Sequence, residues 1–334
     1  MRKELAMAMV LGGLVVFIGL FSDGAFFTGY NLNNVGKHIA LLTIFAIGES
    51  FVIISGGIDL SVGAIVGFSA VFTVMASTGA MHEDLELPIG VAALLAVVLS
   101  GCIGAIQGTL ITRLKLAPFI VTLAGLMMVA GLNQIITQGS SIGFGGKHSH
   151  FAGLADRSIF FLPMPFWVLI AVAALAIFIL HYSSIGRRIY AIGGNREAAR
   201  FSGVKTELVE TGIYVWSATL AGVSGVLYAS YLSSLSFSTG QMYELYAIAA
   251  CVLGGCSLLG GQGTVIGVII GGAIMRVLLN AIDLFVLYPE SRKPFRMGEN
   301  WERFIVGTVI LIAVLIDYAF RQTSLLKKRK TSVS

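Results

Sequence analysis

Long apolar runs, separated by short polar segments, repeat along almost the whole chain. Runs without Asp, Glu, Lys or Arg cover residues 5–22, 60–82, 87–112, 116–146, 158–186, 211–243 and 245–275. A helix that crosses the hydrocarbon core of a bilayer needs about 20 apolar residues. Two further apolar spans contain isolated charges, one around 38–56 with Glu49 and one around 304–320 with Asp317. The run 245–275 is too long for one straight span and contains a glycine-rich break.

This pattern predicts an all-α polytopic membrane protein with about ten transmembrane helices, some of them broken. The polar connections between the runs are too short to bury a core of their own, so the prediction is a single transmembrane domain over residues 1–334. Composition agrees, since 56% of the 334 residues are hydrophobic and only 12% are charged. Soluble domains are about 25% charged, which excludes an ordinary soluble globular protein.

Charge placement predicts the orientation and the compartment. The net charge of +5 is small and scattered, so a nucleic-acid partner is excluded and membrane lipid is expected around the chain. Cytoplasmic loops of membrane proteins carry the excess of Lys and Arg. With the N-terminus inside, about fourteen of the 22 basic residues fall on the inner side, including the tail 327–330. An even number of spans then places both termini on the cytoplasmic side of a multi-pass membrane protein.

Two glycine-rich segments predict interruptions between helices. One is Ser-Gly-Gly-Ile-Asp-Leu-Ser-Val-Gly at 55–63, and a similar phrase begins with a glycine pair at 254. Asp59 can cap the following helix by accepting a hydrogen bond from the amide of Ser61 or Val62. The alternatives are a structural cap at a tight inner turn and a hinge that lines a pathway. The candidate helix break or gate consists of Gly56, Gly57, Asp59, Ser61, Gly254 and Gly255.

Ionisable residues in apolar spans are candidates for function by default, because they are costly there. Glu49, Glu244, Arg276 and Asp283 qualify, but nothing in the sequence arranges them into a relay, and a structural role remains open for each. The chain contains no P-loop, serine elbow, HExxH or CxxC motif, and its histidines lack metal spacing. We therefore expect no catalytic residue, no metal site and no cofactor in this chain.

The polar loop 183–207, on the predicted inner side, contains signals for a short helix. Asn195 is a candidate N-cap, Glu197 lies in the first turn, Arg200 lies late, and Gly203 ends the segment. About seven residues form a rod about 10 Å long, which is too short to be stable alone. It must dock either under its own bundle or into a cytoplasmic partner.

Three motifs resemble the membrane permease subunits of bacterial ATP-binding-cassette (ABC) importers of the ribose type. They are GGIDLSVG at 56–63, GRRIYAIGGNREAARFSGV at 186–204 and AIAACVLGGCSLLGGQGTVIG at 247–267. In that family the inner loop supplies a coupling helix that sits in a groove of a separate ATPase. The resemblance implies an ATPase-coupling element made of Gly186, Asn195, Glu197, Ala198, Ala199 and Gly203.

The same resemblance implies the function, the partners and a location in the bacterial inner membrane. The expected function is translocation of a monosaccharide, such as a pentose, a hexose or a sugar-like molecule, by alternating access driven by a partner ATPase that carries ATP and Mg. The expected partners are a cytoplasmic ATP-binding subunit, a second permease subunit, identical or homologous, and a periplasmic sugar-binding protein. The chain departs from the family pattern at 284–303, where residues 288–296 make the outer loop longer and more charged. Candidate lining residues of the substrate path are Trp216, Tyr228, Tyr231 and Phe237.

Two other function classes compete with this interpretation. Glu49, Asp59 and Glu244 in apolar surroundings favour an ion-coupled secondary transporter of a small polar solute. An intramembrane enzyme is disfavoured, because no nucleophile, metal site or acid-base pair stands at usable spacing.

Overall fold

The computed structural model describes residues 2–80, 86–232, 234–284, 286–287, 295–296, 301–312 and 315. In these ranges the chain is almost entirely helical. The helices, in order, are α1 (Arg2–Phe21), α2 (Gly29–Ile54), α3 (Val62–Thr78), α4 (Ile89–Arg113), α5 (Pro118–Thr137), α6 (Met164–Ile177, extended by a π-helical turn over Phe178–Tyr182), α7 (Ser184–Gly194), α8 (Arg196–Phe201), α9 (Thr206–Tyr231), α10 (Tyr243–Leu253), α11 (Val265–Leu284) and α12 (301–312).

Strands are short and peripheral in the described ranges. β1 (Ser158–Ile159) and β2 (Leu162–Pro163) form an antiparallel hairpin before α6, and β3 (Val286–Leu287) pairs antiparallel with β4 (Phe295–Arg296) after α11. Residues 288–294 of the predicted long outer loop and the basic tail 327–330 lie outside the described residues.

Seven described helices are long and apolar enough to cross a membrane, and α3 and α10 are shorter apolar helices. The prediction of an all-α polytopic membrane protein is confirmed, whereas the count of about ten crossings stays a prediction. The run 245–275 does hold two helices, the end of α10 and the first half of α11, with the glycine-rich break between them.

Helix α2 begins at Gly29, nine residues before the start expected from hydropathy. Its N-cap is Thr28, whose hydroxyl oxygen accepts a hydrogen bond from the Asn31 N–H. The hydropathy pattern missed the first turns of α2 because they contain polar residues. These polar side chains bond to other parts of the protein. Asn31 and Asn280 of α11 exchange two amide hydrogen bonds of 3.1 and 2.8 Å, and Lys37 pairs with Asp156.

Helix α9 is the centre of the bundle. In the described structure, the three most extensive helix pairs join α9 to α4, α3 and α2. Small residues bring these backbones together. A Cβ atom on Gly48 of α2 would lie 3.0 Å from the Ser217 Cα, and one on Gly104 of α4 would collide with the Tyr214 carbonyl oxygen. Helices in lipid associate through close backbone contact of this kind, because lipid tails are as apolar as the side chains and no hydrophobic effect drives the helices together.

The segment before α10 enters the bundle from the end of α9. Its Thr239 carbonyl and Gly240 lie against Gly63 and Gly67, in the first two turns of α3. Helix α10 therefore starts inside the bundle, and its 11 residues suffice to reach the second glycine-rich break.

We predict that Gly104→Ala destabilises the protein, because the new methyl group would collide with the Tyr214 carbonyl oxygen and would lie only 2.7 Å from the Ala218 Cβ. Overpacking of this kind typically costs about 1–3 kcal/mol. The matched control is Gly13→Ala in α1, where no atom lies within 4 Å of the new methyl group. Thermal unfolding of the purified protein in detergent should show a lower midpoint for Gly104→Ala alone. Equal midpoints for both variants would contradict this account of the α4–α9 contact.

Candidate functional site

The inner loop 183–207 folds as two consecutive helices, not one. Helix α7 precedes the predicted short helix and is capped by Ser183, whose hydroxyl accepts from the Ile185 and Gly186 N–H groups at 3.1 and 3.3 Å. Ile189 and Ile192 of α7 are buried against the bundle. The signals for α7 were present in the sequence, in the form of the serine cap and the three- and four-residue spacing of its isoleucines.

Helix α8 has the predicted start and stop. The Asn195 side chain accepts a hydrogen bond of 2.9 Å from the Ala198 N–H. At the other end Gly203 has a φ of +84°. The Gly203 N–H donates to the Arg200 carbonyl at 3.0 Å and the Val204 N–H donates to the Ala199 carbonyl at 3.1 Å. This pair of bonds is a Schellman motif, which requires a left-handed residue at the position of the glycine.

The six residues assigned to ATPase coupling divide into two groups by burial. Asn195, Glu197, Ala198 and Gly203 are exposed. Ala199 is buried against the bundle, and Gly186 lies in α7, where a Cβ atom would collide with the Leu180 carbonyl. These two residues therefore hold α7 and α8 in place instead of offering a free surface.

Phe201, the last residue of α8, was not anticipated from the sequence as a site residue. Its side chain is 86% exposed, next to the exposed Glu197 and Ala198 in a polar loop. Burial of this side chain against a partner would remove its apolar surface from water, which makes Phe201 a candidate contact residue. The exposed face of α8 is defined here as Glu197, Ala198 and Phe201.

An ion pair ties α8 to α9. Arg196 donates two hydrogen bonds to the Glu210 carboxylate, of 2.7 Å from Nε and 2.8 Å from Nη2. These bonds raise the pKa of the Arg196 guanidinium above its already high usual value. Bidentate geometry fixes orientation as well as distance, so α8 cannot swing freely about Asn195.

Both predicted helix breaks meet the end of α7. The Ile54 carbonyl at the end of α2 accepts a hydrogen bond of 2.8 Å from the Gly261 N–H. A Cβ atom on Gly193 would collide with this carbonyl, and one on Gly260 would lie 3.0 Å from the Gly56 Cα. We call this region the inner junction and define it as residues 54–57, 193–194 and 254–263. It brings the two breaks into direct backbone contact with the α7–α8 pair.

Side-chain and backbone features reinforce the inner junction. The Tyr190 hydroxyl of α7 donates to the Gly263 carbonyl at 2.7 Å. Gly56 and Gly255 have φ values of +90° and +80°, a conformation that favours glycine at each predicted break. Gly57 and Gly254 are close-contact positions, since a Cβ atom would lie 2.6 Å from the Tyr214 hydroxyl or 2.5 Å from the Gly267 carbonyl oxygen.

A buried polar network holds the first break. Asp59 Oδ1 accepts the expected hydrogen bond from the Ser61 N–H at 2.9 Å, and the Ser61 hydroxyl lies 2.6 Å from the same oxygen. The prediction that Asp59 caps the helix is wrong, because Ser61 is itself the N-cap of α3 and the bonded amide precedes the first helical turn. Ser217 of α9 donates to Asp59 Oδ2 at 3.2 Å, and the Asp59 N–H donates to Glu49 Oε1 at 3.2 Å. All four residues are completely buried. The two carboxylates therefore support the backbone where it leaves the helix, as buried polar groups at membrane depth must.

A cavity of about 500 Å³ lies beside the inner junction. Its walls come from the first break, the end of α7, the Arg196–Glu210 pair and the α4–α5 connection, including Lys115. The cavity borders Gly193 and Tyr214, so a movement of α7 and α8 would change its shape.

The four predicted lining aromatics do not form one site. Trp216 packs against Phe51 with ring centroids 5.7 Å apart, and Tyr228 packs against Tyr243 at 5.2 Å. Tyr231 lies near the other end of α9, with its hydroxyl 3.3 Å from His38 Nε2, and Phe237 is partly buried in the segment before α10. Trp216 and Tyr228 are about 18 Å apart along the helix. A role in the substrate path stays a prediction for each of them.

The remaining intramembrane ionisable residues lie away from the inner junction. Arg276 donates to His38 Nδ1 at 2.7 Å, and these two residues line a cavity of about 170 Å³ with Asp283 and Glu302. Glu244, in the first turn of α10, lies beside Gly63. Among the residues that the structure describes, no group of three metal-ligating side chains could hold a metal ion.

Comparison with known proteins decides the family. Residues 31–314 match the family described as branched-chain amino acid transport system / permease component. The chain belongs to this permease family. It is 33% identical to the ribose import permease protein of Haemophilus influenzae, over 91% of this chain and 90% of that protein. It is 34% identical to the ribose import permease protein of Bacillus subtilis, over 95% and 96% of the two chains.

A third relative is the galactose/methyl galactoside import permease protein of Escherichia coli, which is 35% identical over 94% of each chain. No solved structure matches this permease. Its relatives are transport components, so it is a transport subunit and not an enzyme. The family and the seven candidate spans confirm the predicted multi-pass protein of the bacterial inner membrane. The family and the relatives give no support to the ion-coupled alternative. In general terms, membership of this family implies ATPase and binding-protein partners.

We predict that Gly193→Ala disables transport by this permease, because its methyl group would force the Ile54 carbonyl and the Gly261 N–H apart at the inner junction. The neighbouring Gly194→Ala is a matched control, since nothing lies within 4 Å of its new methyl group. Both variants should insert into the membrane. Substrate uptake by cells that express the complete transport system should be lost with Gly193→Ala and kept with Gly194→Ala. Full uptake with both would show that the contact is dispensable.

Proposed function

We propose that this permease is the membrane-spanning subunit of an ABC importer that carries a monosaccharide into the cell by alternating access. The family description refers to branched-chain amino acid transport, whereas the relatives that match nearly full length are named as importers of ribose and of galactose or methyl galactoside. Agreement along at least nine-tenths of both chains supports a sugar as the substrate class. A pentose, a hexose and a sugar-like molecule all fit this proposal.

The observation that carries the proposal is the exposed face of α8. Phe201, Glu197 and Ala198 project from a short helix whose other side holds the buried Ala199 and the Arg196–Glu210 ion pair. A six-residue helix is stable only when docked, and burying Phe201 in a groove of a cytoplasmic ATP-binding subunit would remove its apolar surface from water. ATP and Mg then belong to that subunit, and α8 serves as the coupling helix.

The inner junction supplies a route from α8 to the transmembrane helices. The Arg196–Glu210 pair links α8 to α9, and Gly193 touches the ends of α2 and of the second break. If the ATP-binding subunit contacts α8 differently in its two states, the difference in binding free energy biases the positions of α2, α9 and α11. The sugar then passes inward as the bundle alternates between outward and inward access.

The remaining partners follow from the same proposal. A second permease subunit, identical or homologous, completes the membrane part of the importer. A periplasmic sugar-binding protein captures the substrate and supplies high-affinity selection, so the permease path need bind the sugar only weakly. Trp216, Tyr228, Tyr231 and Phe237 remain candidates for contacts along that path.

We predict that Phe201→Asp weakens association with the ATP-binding subunit at least about tenfold, because it replaces an apolar anchor with a charge that the groove would have to desolvate. The control is Phe161→Asp, which changes a side chain that is 99% exposed in the hairpin before α6. Co-purification with the ATP-binding subunit should be lost with Phe201→Asp and kept with Phe161→Asp.

A second variant tests the same face by bulk. Like Phe201→Asp, Ala198→Trp should abolish ATP-dependent sugar uptake in proteoliposomes, because the bulky tryptophan side chain would not fit a closely packed groove. Membrane insertion should be kept. Uptake that persists in both variants, or that an ion gradient drives without ATP or a second protein, would overturn the proposed function.

A further inference from the structure

A basic cavity lies where α4 ends and α9 begins. Its volume is about 390 Å³, and its walls include Arg113, Arg200, Lys205 and Glu207. The three cations are exposed, and no ion pair engages any of them within the part of the chain that the structure describes. With one carboxylate against three cations, the cavity carries an excess of positive charge that its own residues leave uncompensated.

An apolar cavity lies on the other side of the same end of α9. Its volume is about 310 Å³, and its walls are mostly apolar, including Phe51, Ile213 and Trp216, with Arg188 as the one charged lining residue. Leu208 lines both cavities. Its side chain is 72% exposed, so it forms an open apolar bridge between the basic cavity and the apolar one.

The two cavities overlap in depth along α9, but the apolar cavity reaches further into the bundle. The basic cavity is lined as far as Thr211, whereas the apolar cavity is lined as far as Trp216, about 8 Å further along the helix. Arg113 is the last residue of α4, a candidate membrane span, which places the basic cavity at the level of lipid headgroups. The apolar cavity then lies at the level where acyl chains begin.

We propose that the two cavities form a binding site for one anionic phospholipid of the inner leaflet. Arg113, Arg200 and Lys205 bind the phosphate, and an acyl chain passes over Leu208 into the apolar cavity. Basic pockets between transmembrane helices on the cytoplasmic side suit anionic headgroups. A free phosphate would leave the apolar cavity unused, and a lipid without net charge would leave the cations uncompensated.

The position of this site gives it a consequence for coupling. Arg200 belongs to α8 and Arg113 belongs to α4, so one bound phosphate would hold the two helices together. An anionic lipid would therefore favour one position of α8 relative to the bundle. This inference concerns the chain's own inner face and stands whether or not the proposed substrate is correct.

The test uses the complete transporter, purified with its ATP-binding subunit and reconstituted in nanodiscs of equal parts phosphatidylglycerol and phosphatidylcholine. After extraction, native mass spectrometry counts the phosphatidylglycerol retained per permease chain. The double variant R113Q/K205Q should retain it at least about tenfold less than the unchanged protein, since each cation near an anionic headgroup contributes to binding. The matched control is Lys115→Gln, two residues from Arg113 but lining the other inner cavity, and it should retain the lipid fully.

A second variant tests the apolar half of the site. Leu208→Gln keeps every cation and should still lose phosphatidylglycerol. Equal lipid retention by R113Q/K205Q and the unchanged protein would overturn the proposal. The proposal would also be overturned if inorganic phosphate displaced the lipid and Leu208→Gln had no effect on lipid retention, because that result would indicate a site for free anions. Arg200 and the exposed face of α8 are unchanged in all three variants, so co-purification of the ATP-binding subunit reports on the proposed function separately.

Discussion

Backbone contact at the Ile54 carbonyl is the constraint on which the inner half of this permease depends. The carbonyl accepts the Gly261 N–H and touches Gly193, so three segments distant in sequence share one point without a side chain between them. Such a contact tolerates no added atom, and it keeps the end of α2, the second break and the α7–α8 pair in fixed register. Packed interfaces of this kind switch between discrete arrangements more readily than they deform, which suits a part that must transmit a movement.

The buried polar groups near that contact make sense as support for the backbone. Glu49 and Asp59 accept hydrogen bonds from the Asp59 and Ser61 N–H groups, which lie in the break just before α3 and would otherwise lack partners at membrane depth. Ser217 extends this support to α9, the helix around which α2, α3 and α4 pack. Glu49 and Asp59, which suggested ion coupling from the sequence, thus stabilise a helix break inside the bilayer.

Hydropathy was sufficient to predict the membrane class and most spans, because the length of an apolar run is set by bilayer thickness and needs no knowledge of the neighbours. It failed at the start of α2, where Asn31 and Lys37 are polar but bond to other parts of the protein. Local capping signals placed α8 correctly, since Asn195 and Gly203 act within one turn of the helix. The inner junction could not be predicted from the sequence, because nothing in the chain near Gly193 indicates that Ile54 and Gly261 will contact it. Phe201 was missed for a related reason, since only its exposure distinguishes it from a core phenylalanine.

The short helix α10 and the non-helical segment before it restrict how the transport cycle can proceed. The peptide groups around Thr239 and Gly240 sit against the first turns of α3, at a level where hydrocarbon would offer them no hydrogen-bond partner. Parting α3 from this segment would open a closely packed backbone contact and expose those peptide groups. The contact therefore favours motions in which α3 and the segment before α10 move together, with opening and closing at other helix interfaces.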